Sequence, residues 1–302
     1  MGVALQVTNL RKKYGAIEVL KGINFSVNKG EIFGILGANG AGKSTTLECI
    51  EGIKSYSSGS IEVFGKNISK AKDVQNLIGV QLQSSSLQKN ITVEEAMKFF
   101  CKWKNVEVRL DLLNTFGLEK LYVKQYGQLS VGQKRRLHLA LALCNNPKIV
   151  ILDEPTAGLD VQGRMELHNE IRKLKENGVT VIIASHDMAE IETLCDRLTV
   201  IVKGEIKFIG TVREFKLQGQ SEKKIKIKTA DNTLAGEKFL HSKIESITED
   251  GLIISITNLT KSMEEIMSKV LSHEDEIENL TIESLSLEER FMEIAYTEGS
   301  GV

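Results

Sequence analysis

Apolar and polar residues alternate over residues 3–27 (Val3, Leu5, Val7, then Val19, Ile23, Phe25 and Val27). That period of two predicts an antiparallel strand pair joined through Leu10–Ile17. The pattern then becomes continuous: Glu31-Ile-Phe-Gly-Ile-Leu36 reads as a buried parallel strand, and Lys43 to Ile50 as a helix. Residues 60–64 and 77–82 suggest further strands, with a break at Ser84-Ser-Ser86. From Val93 to Phe116 the period is helical (Val93, Ala96, Met97, Phe100), which predicts a helical insertion that carries Trp103. Leu129-Ser-Val-Gly-Gln133 precedes a helix predicted over Lys134–Cys144, with Ser130 placed as its N-cap and Leu137, Ala140, Leu141 and Cys144 as its apolar stripe. Strand and helix alternate from there. Ile149–Glu154 is a strand with two acids at its C-terminal end, Val161–Asn177 a helix opened by Asp160, Thr180–Ala184 a strand and Met188–Cys195 a helix. Leu198–Val202 and Ile206–Ile209 form a hairpin through Lys203-Gly204. Alternation of this kind predicts an α/β fold around a parallel sheet.

After Phe215 the pattern changes again. Lys223-Lys-Ile-Lys-Ile-Lys228 alternates strictly and predicts a strand with one wet face. Leu234–Leu240 is expected as a short helix, and Ile244–Ile247 with Leu252–Ile256 as a hairpin. Ser262 is expected to cap a helix running to Leu271, Ile277–Ser284 to form a last strand, and Ser286-Leu-Glu-Glu289 to open a final helix as a capping box. This divides the chain into residues 1–215, with a helical subdomain near 84–145, and a small α+β domain over 216–302.

Charge sharpens that division. The 302 residues carry a net charge of −1, but residues 216–302 hold 10 Lys and Arg against 17 Asp and Glu, leaving 29 against 23 in the rest. Such a balance gives no global attraction to nucleic acid or anionic lipid. Cys49, Cys101, Cys144 and Cys195 are widely spaced and form no CxxC pair, so they read as reduced thiols. The N-terminus lacks a secretory h-region, and no apolar stretch approaches ~18 residues, so a membrane role is expected to come through a partner.

The chemistry concentrates in Gly37-Ala-Asn-Gly-Ala-Gly-Lys-Ser44, continued by Thr45. It matches Gly-x-x-x-x-Gly-Lys-Ser/Thr between a strand and a helix. Gly37, Gly40 and Gly42 let backbone N–H groups approach phosphate oxygens, and Asn39 and Ala41 lie between them. The helix N-terminus adds free N–H groups and the positive end of its dipole. Lys43 supplies a cation for the β- and γ-phosphates, and the Ser44 hydroxyl suits Mg²⁺. A second cluster, Asp153-Glu154, stands at the C-terminal end of a buried strand, where ligands bind in open α/β sheets.

Taken together, residues 3–215 resemble the nucleotide-binding subunit of an ATP-binding cassette (ABC) transporter. Seven elements carry the likeness in the family's order. They are Tyr14, the loop Gly37–Ser44, Gln83, the signature Leu129–Gln133, the strand Ile149–Glu154, Ala157-Gly-Leu-Asp160 and His186. Val131 replaces the signature's usual glycine, and Leu82 replaces a common proline before Gln83. Gln83 rather than Gln81 is assigned on its distance to Ile91-Thr-Val93.

The resemblance implies a P-loop NTPase: a RecA-type core with an antiparallel β subdomain, a helical subdomain and, here, the small C-terminal α+β domain. It implies ATP and Mg²⁺ as ligand and cofactor. Tyr14 would stack on adenine, Ser44, Asp153 and Gln83 would serve Mg²⁺, and Glu154 and His186 would handle the attacking water. Leu129, Ser130, Gly132 and Gln133 would close on the nucleotide of a second subunit, with Asp160 in the dimer loop. A homodimer with two complete sites is favoured, and a pair with a sister subunit also fits. The ending Ser284-Leu-Ser-Leu-Glu-Glu-Arg-Phe-Met292 resembles extensions in the drug and antibiotic exporter branch. The expected function is therefore an exporter ATPase, peripheral on the inner face of the cell membrane, driving a separately encoded permease, with no nucleic-acid partner. A soluble family ATPase acting on ribosomes or DNA, or an importer subunit, is the competing expectation.

Overall fold

The computed structural model describes residues 2–69, 72–81, 86–217, 223–248, 251–256, 258–283 and 287–296. By internal contacts they form two units, Met1–Val212 and Arg213–Val302. The sequence places the division after Phe215; contacts divide the chain three residues earlier, where the last strand of the first unit runs straight into a helix.

The first unit opens with β1 (Val3–Tyr14) and β2 (Ile17–Asn28). Both strands are longer than the alternation predicts. Tyr14 pairs with Ile17, so the connection is the two-residue turn Gly15-Ala16, with Gly15 at φ 58°. Next come β3 (Ile32–Leu36), α1 (Lys43–Ile50), β4 (Ser58–Val63), β5 (Lys66–Asn67) and β6 (Ile78–Gln81). The helical insertion contains α2 (Val93–Trp103), α3 (Leu110–Thr115) and α4 (Val131–Ala142). The unit ends with β7 (Ile149–Asp153), α5 (Val161–Glu176), β8 (Thr180–Ser185), α6 (Met188–Leu194), β9 (Arg197–Val202) and β10 (Glu205–Thr211).

Two sheets result. β2-β1-β4-β5 is antiparallel throughout, and β10-β9-β3-β8-β7-β6 is parallel except for the β9–β10 hairpin. Every residue of β3, β7 and β8 is buried, which accounts for the unbroken apolar runs in their sequences. One core joins the two sheets, drawing Leu5, Val7, Ile23 and Phe25 from the first and Phe33, Ile35, Ile151 and Ile182 from the second. All four cysteines are buried and unpaired.

The second unit begins in α7 (Val212–Leu217), which straddles the division, and continues as β11 (Lys223–Thr229), β12 (Ser242–Thr248), β13 (Gly251–Ile256), α8 (Leu259–Ser272), β14 (Ile277–Glu283) and α9 (Leu287–Tyr296). Its antiparallel sheet has the order β12-β13-β11-β14. Ile225, Ile227, Ile254, Ile266 and Val270 form a separate core. Two expectations fail here. Leu234–Leu240 is only a single 3-10 turn at Thr233–Gly236. Asn258 caps α8, accepting from the Lys261 N–H at 3.1 Å, while Ser262 lies inside the helix and donates to the His241 carbonyl at 2.9 Å. The expected cap at Ser286 lies outside the described residues.

Candidate nucleotide-binding and hydrolysis site

Strand order creates the site. β3, β8 and β7 are parallel neighbours, with Leu36 opposite Ser185 and Asp153 opposite Ala184. Their carboxyl ends therefore deliver Gly37, His186 and the Asp153–Glu154 pair to one edge of the sheet.

The loop after β3 is shaped by its glycines. Gly40 and Gly42 have φ of 80° and 114°, a left-handed conformation that L side chains rarely adopt. Gly37 is required for a different reason, because a Cβ there would stand 2.6 Å from the Ile201 carbonyl oxygen. The Gly42 N-cap has no side-chain partner, so the first turn of α1 keeps its N–H groups directed into the loop. Thr46 anchors that turn by donating to the Gly42 carbonyl at 2.8 Å. Asn39, Gly40 and Ser44 are exposed, Thr45 is half-buried, and Gly37, Ala41 and Gly42 are buried.

Lys43 is folded inward, 6% exposed. Its Nζ donates to the Gly37 carbonyl at 2.7 Å and lies 3.7 Å from Glu154 Oε1. Burial pushes its pKa down, opposed by the charges of Glu154 and Asp153. Asp153 is also buried. Burial pushes its carboxyl pKa up, while a hydrogen bond from Ser44 opposes that shift. Its Oδ1 is buried with no hydrogen-bond partner among the described residues. An orphaned carboxylate oxygen beside a serine hydroxyl fits Mg²⁺, which takes few protein oxygens and completes its shell with phosphates and water.

Glu154 follows at φ 48°, a left-handed conformation uncommon outside glycine. Its N–H donates to the Ala184 carbonyl at 2.9 Å, which ties the turn to β8. His186 Nδ1 lies 2.8 Å from Glu154 Oε1. The turn that carries His186 is braced by Asp187, which caps α6 and pairs with Arg164 at 2.8 Å.

Tyr14, 42% exposed, ends β1, with the Lys12 and Lys54 ammonium groups 4.9 and 5.4 Å from its ring centroid. A Cβ on Gly42 would meet Leu20 and Val19 of β2, so this hairpin lies alongside the phosphate loop.

The signature residues stand apart. Ser130 caps α4, which starts at Val131, three residues before the predicted start at Lys134: its hydroxyl accepts from the Gln133 N–H at 3.2 Å, and the Gln133 side chain accepts from the Ser130 N–H at 3.1 Å. Gln133 is thus the third residue of the helix and closes a capping box. Leu129 is buried just before it. Gly132 and Val131 approach Leu159 and Gly158, in the loop that ends at Asp160. Asp160 caps α5, accepting from the Gly163 N–H at 2.7 Å. Gln83 lies outside the described residues. The sequence reading gave no role to Thr46, Arg164, Lys12 or Lys54. Asp187 beside His186 hinted at Arg164, but nothing local hinted at Lys54.

This geometry meets independent comparisons. Residues 20–157 match the family model described as ABC transporter. Over 217 residues the chain is 40% identical to the Linearmycin resistance ATP-binding protein LnrL of Bacillus subtilis, covering 68% of this chain and 69% of that one. It is 38% identical over 204 residues to the Lantibiotic transport ATP-binding protein SrtF of Streptococcus pyogenes, covering 67% and 88%. It is 40% identical over 212 residues to the Nod factor export ATP-binding protein I of Burkholderia orbicola, covering 68% and 70%. Among solved structures, the ADP conformation of MJ1267, an ATP-binding cassette of an ABC transporter, superposes with a TM-score of 0.64 at 27% identity, covering 71% of this chain and 93% of that one. The cbiO1 protein of Clostridium perfringens, part of the cbiONQ transporter complex, gives 0.64 at 33% identity, with 71% and 90% covered. The strand ends, the phosphate loop and these relatives agree: the chain belongs to the ABC transporter family, as an ATP-binding and ATP-hydrolysing subunit.

Proposed function

We propose that this chain powers export, as one of two ATPase subunits that share Mg·ATP between them and drive a transmembrane partner. The observation that carries the chemistry is the contact of Glu154 with His186 at 2.8 Å and with Lys43 at 3.7 Å, at the ends of adjacent parallel strands. Lys43 and the N–H groups of Gly40–Thr45 hold the phosphates. Ser44 and Asp153 hold Mg²⁺, which neutralises phosphate charge and orients the leaving group. Glu154 orients the attacking water and accepts its proton. His186 holds Glu154 and the γ-phosphate in line, and Gln83 senses the ion beside the surface that meets the partner. Tyr14 stacks on adenine. Ser130 and Gly132 of one subunit complete the site of the other, with Leu129 and Gln133 shaping the cap and Asp160 the loop between the two sites. Hydrolysis is thus mostly positioning and charge stabilisation.

The relatives named for resistance, lantibiotic transport and Nod factor export support export over import, and a drug, antibiotic or peptide as cargo. Among the described residues no helix is long and apolar enough to cross a membrane. The transport path is assigned to the partner, with this chain peripheral on it.

Sedimentation of Glu154→Gln with and without Mg·ATP tests the shared site. The substitution is expected to slow hydrolysis about a thousandfold while nucleotide still binds. A monomer that becomes a dimer with Mg·ATP supports two identical subunits. A dimer present without nucleotide assigns pairing to the C-terminal unit. A monomer in both conditions overturns the homodimer.

A further inference from the structure

α1 leads from the phosphate loop to a turn that folds back on the helix. Glu51 is its C-cap, and Gly52, at φ 75°, reverses the chain. The Ile53 N–H donates to the Glu48 carbonyl at 3.0 Å and the Gly52 N–H to the Cys49 carbonyl at 3.2 Å. This is the Schellman pattern, which closes a helix on a left-handed glycine. The turn returns Lys54 to Glu48 twice over. Its N–H donates to the Glu48 carbonyl at 3.0 Å, and its Nζ lies 2.8 Å from Glu48 Oε2.

The same ammonium stands 5.4 Å from the Tyr14 ring centroid. Hydrogen bonds from Lys54, first to Glu48 and then to the Tyr14 side chain, push its pKa above the usual lysine value. Lys12 Nζ stands 4.9 Å from that centroid and donates to the Ser55 carbonyl, one residue beyond Lys54. The Ser57 N–H donates to the Arg11 carbonyl at 2.7 Å, and the Lys13 N–H to the Ser57 hydroxyl at 3.0 Å. Residues 54–57 are thus fastened along the end of β1. Tyr14 itself is 42% exposed beside a two-residue turn, and its strand partner Ile17 is 69% exposed. A ring placed there has little packing to select one rotamer, so the two ammonium groups set its orientation.

We propose that Lys54, anchored by Glu48, is a positioning residue for the nucleotide base. Lys12 steadies the Tyr14 ring from its own strand, whereas Lys54 ties it to α1. Glu48 and Lys43 lie on that one helix, so the ion pair fixes the ring at a set distance from the phosphate loop. The inference deepens the reading of Tyr14 as the adenine platform and rests on it. A ring already oriented loses less freedom when the base stacks. Ordering one such side chain is worth about threefold to tenfold in affinity.

Calorimetric titration of the full chain with Mg·ADP and with Mg·pyrophosphate separates base from phosphate. ADP has no γ-phosphate to lose, and pyrophosphate offers two linked phosphates without a base. Lys54→Met is expected to weaken ADP by about threefold to tenfold. Pyrophosphate should bind it as before, which also shows that the variant folds. Lys54→Arg should keep the ADP affinity, because a guanidinium retains both the pair with Glu48 and a cation at the ring. Glu48→Gln should lower the ratio of ADP to pyrophosphate affinity as Lys54→Met does. Tyr14→Ala should weaken ADP, and adding Lys54→Met to it should cost nothing more. Equal losses for the two ligands would mean that Lys54 only attracts phosphate, and overturn the proposal. An undiminished ADP affinity in Lys54→Met, or a full further loss in the double variant, overturns it too. If Tyr14→Ala leaves ADP binding intact, the stacking reading falls and the inference with it. If Tyr14→Ala weakens ADP while Lys54→Met does not, the platform stands and the role of Lys54 alone is lost.

Discussion

Gly37 and Gly40 share a motif and differ in what their backbones require. Gly40 is left-handed at φ 80° with open space where a Cβ would stand. Gly37 has no left-handed φ, but a Cβ there would press on the Ile201 carbonyl at 2.6 Å. Gly40→Ala should therefore cost only the conformational term, about 1 kcal/mol. Gly37→Ala must move either the loop or β9, and should cost about 1–3 kcal/mol together with at least tenfold in ATP affinity. Thermal melts with ATP titration separate the two, and equal losses in both variants would refute the steric reading. The motif made these residues legible in the sequence as a phosphate loop. It did not reveal why Gly37 must be glycine, since Ile201 is distant in sequence and reaches the loop only because β9 pairs with β3. The left-handed turn at Glu154 was equally hidden. It is tied down by the bond from its N–H to Ala184, a residue of another strand.

Helix ends decide the next scale. Thr92 and Glu95 form a reciprocal capping box at the start of α2, the helix that carries Phe100 and Trp103. Thr92→Ala should lower stability by about 1 kcal/mol without changing ATP affinity, as read by melting and nucleotide titration. A loss of nucleotide binding would mean that α2 reaches the site. At the other end of a helix, Glu51 gives stability a pH dependence with a defined sign. Its carboxyl titrates at about 7 in the fold against 4.5 ordinarily, so the fold favours the protonated form. Below pH 4.5 both states are protonated and no cost arises. The cost grows as the unfolded chain ionises, and is complete above pH 7, at about 3 kcal/mol. Glu51→Gln should therefore melt several degrees above the unchanged chain at pH 8, with the gap closing toward pH 4.5. A gap that is constant with pH would show that Glu51 is not buried in its charged form. Elements with strong periods, β3, β7 and β8 among them, were legible because burial on both faces leaves continuous apolar runs. Boundaries were not. For α4 the cap at Ser130 was legible but the start was set at Lys134, three residues late, and α8 starts at Leu259 because Asn258 takes the cap that the pattern assigned to Ser262. In both helices a polar residue outside the apolar stripe sets the start, and periodicity alone cannot place it.

Across the whole molecule, each unit has its own core, one around Leu5, Phe33, Ile151 and Ile182 and the other around Ile225, Ile254 and Ile266. The change in pattern and charge after Phe215 shows in the sequence that a second unit follows. It does not say what that unit does, because its alternating strands and capped helices answer to packing, and among the described residues no group of His, Cys, Asp and Glu could hold a metal ion. Separate cores make a thermodynamic prediction. Calorimetry of Glu154→Gln, chosen so that nucleotide is not consumed, should resolve two transitions. Only the unit that contains Lys43, Ser44 and Asp153 binds nucleotide, so Mg·ATP should stabilise that unit alone. At a hundredfold excess over the dissociation constant the gain is about 2.7 kcal/mol, which for a unit of this size raises its melting temperature by roughly 5–10 °C. The second transition should stay where it was. If instead both transitions rise together on adding Mg·ATP, the C-terminal unit is coupled energetically to the nucleotide site, and its role extends beyond its own fold to the state of the ATPase.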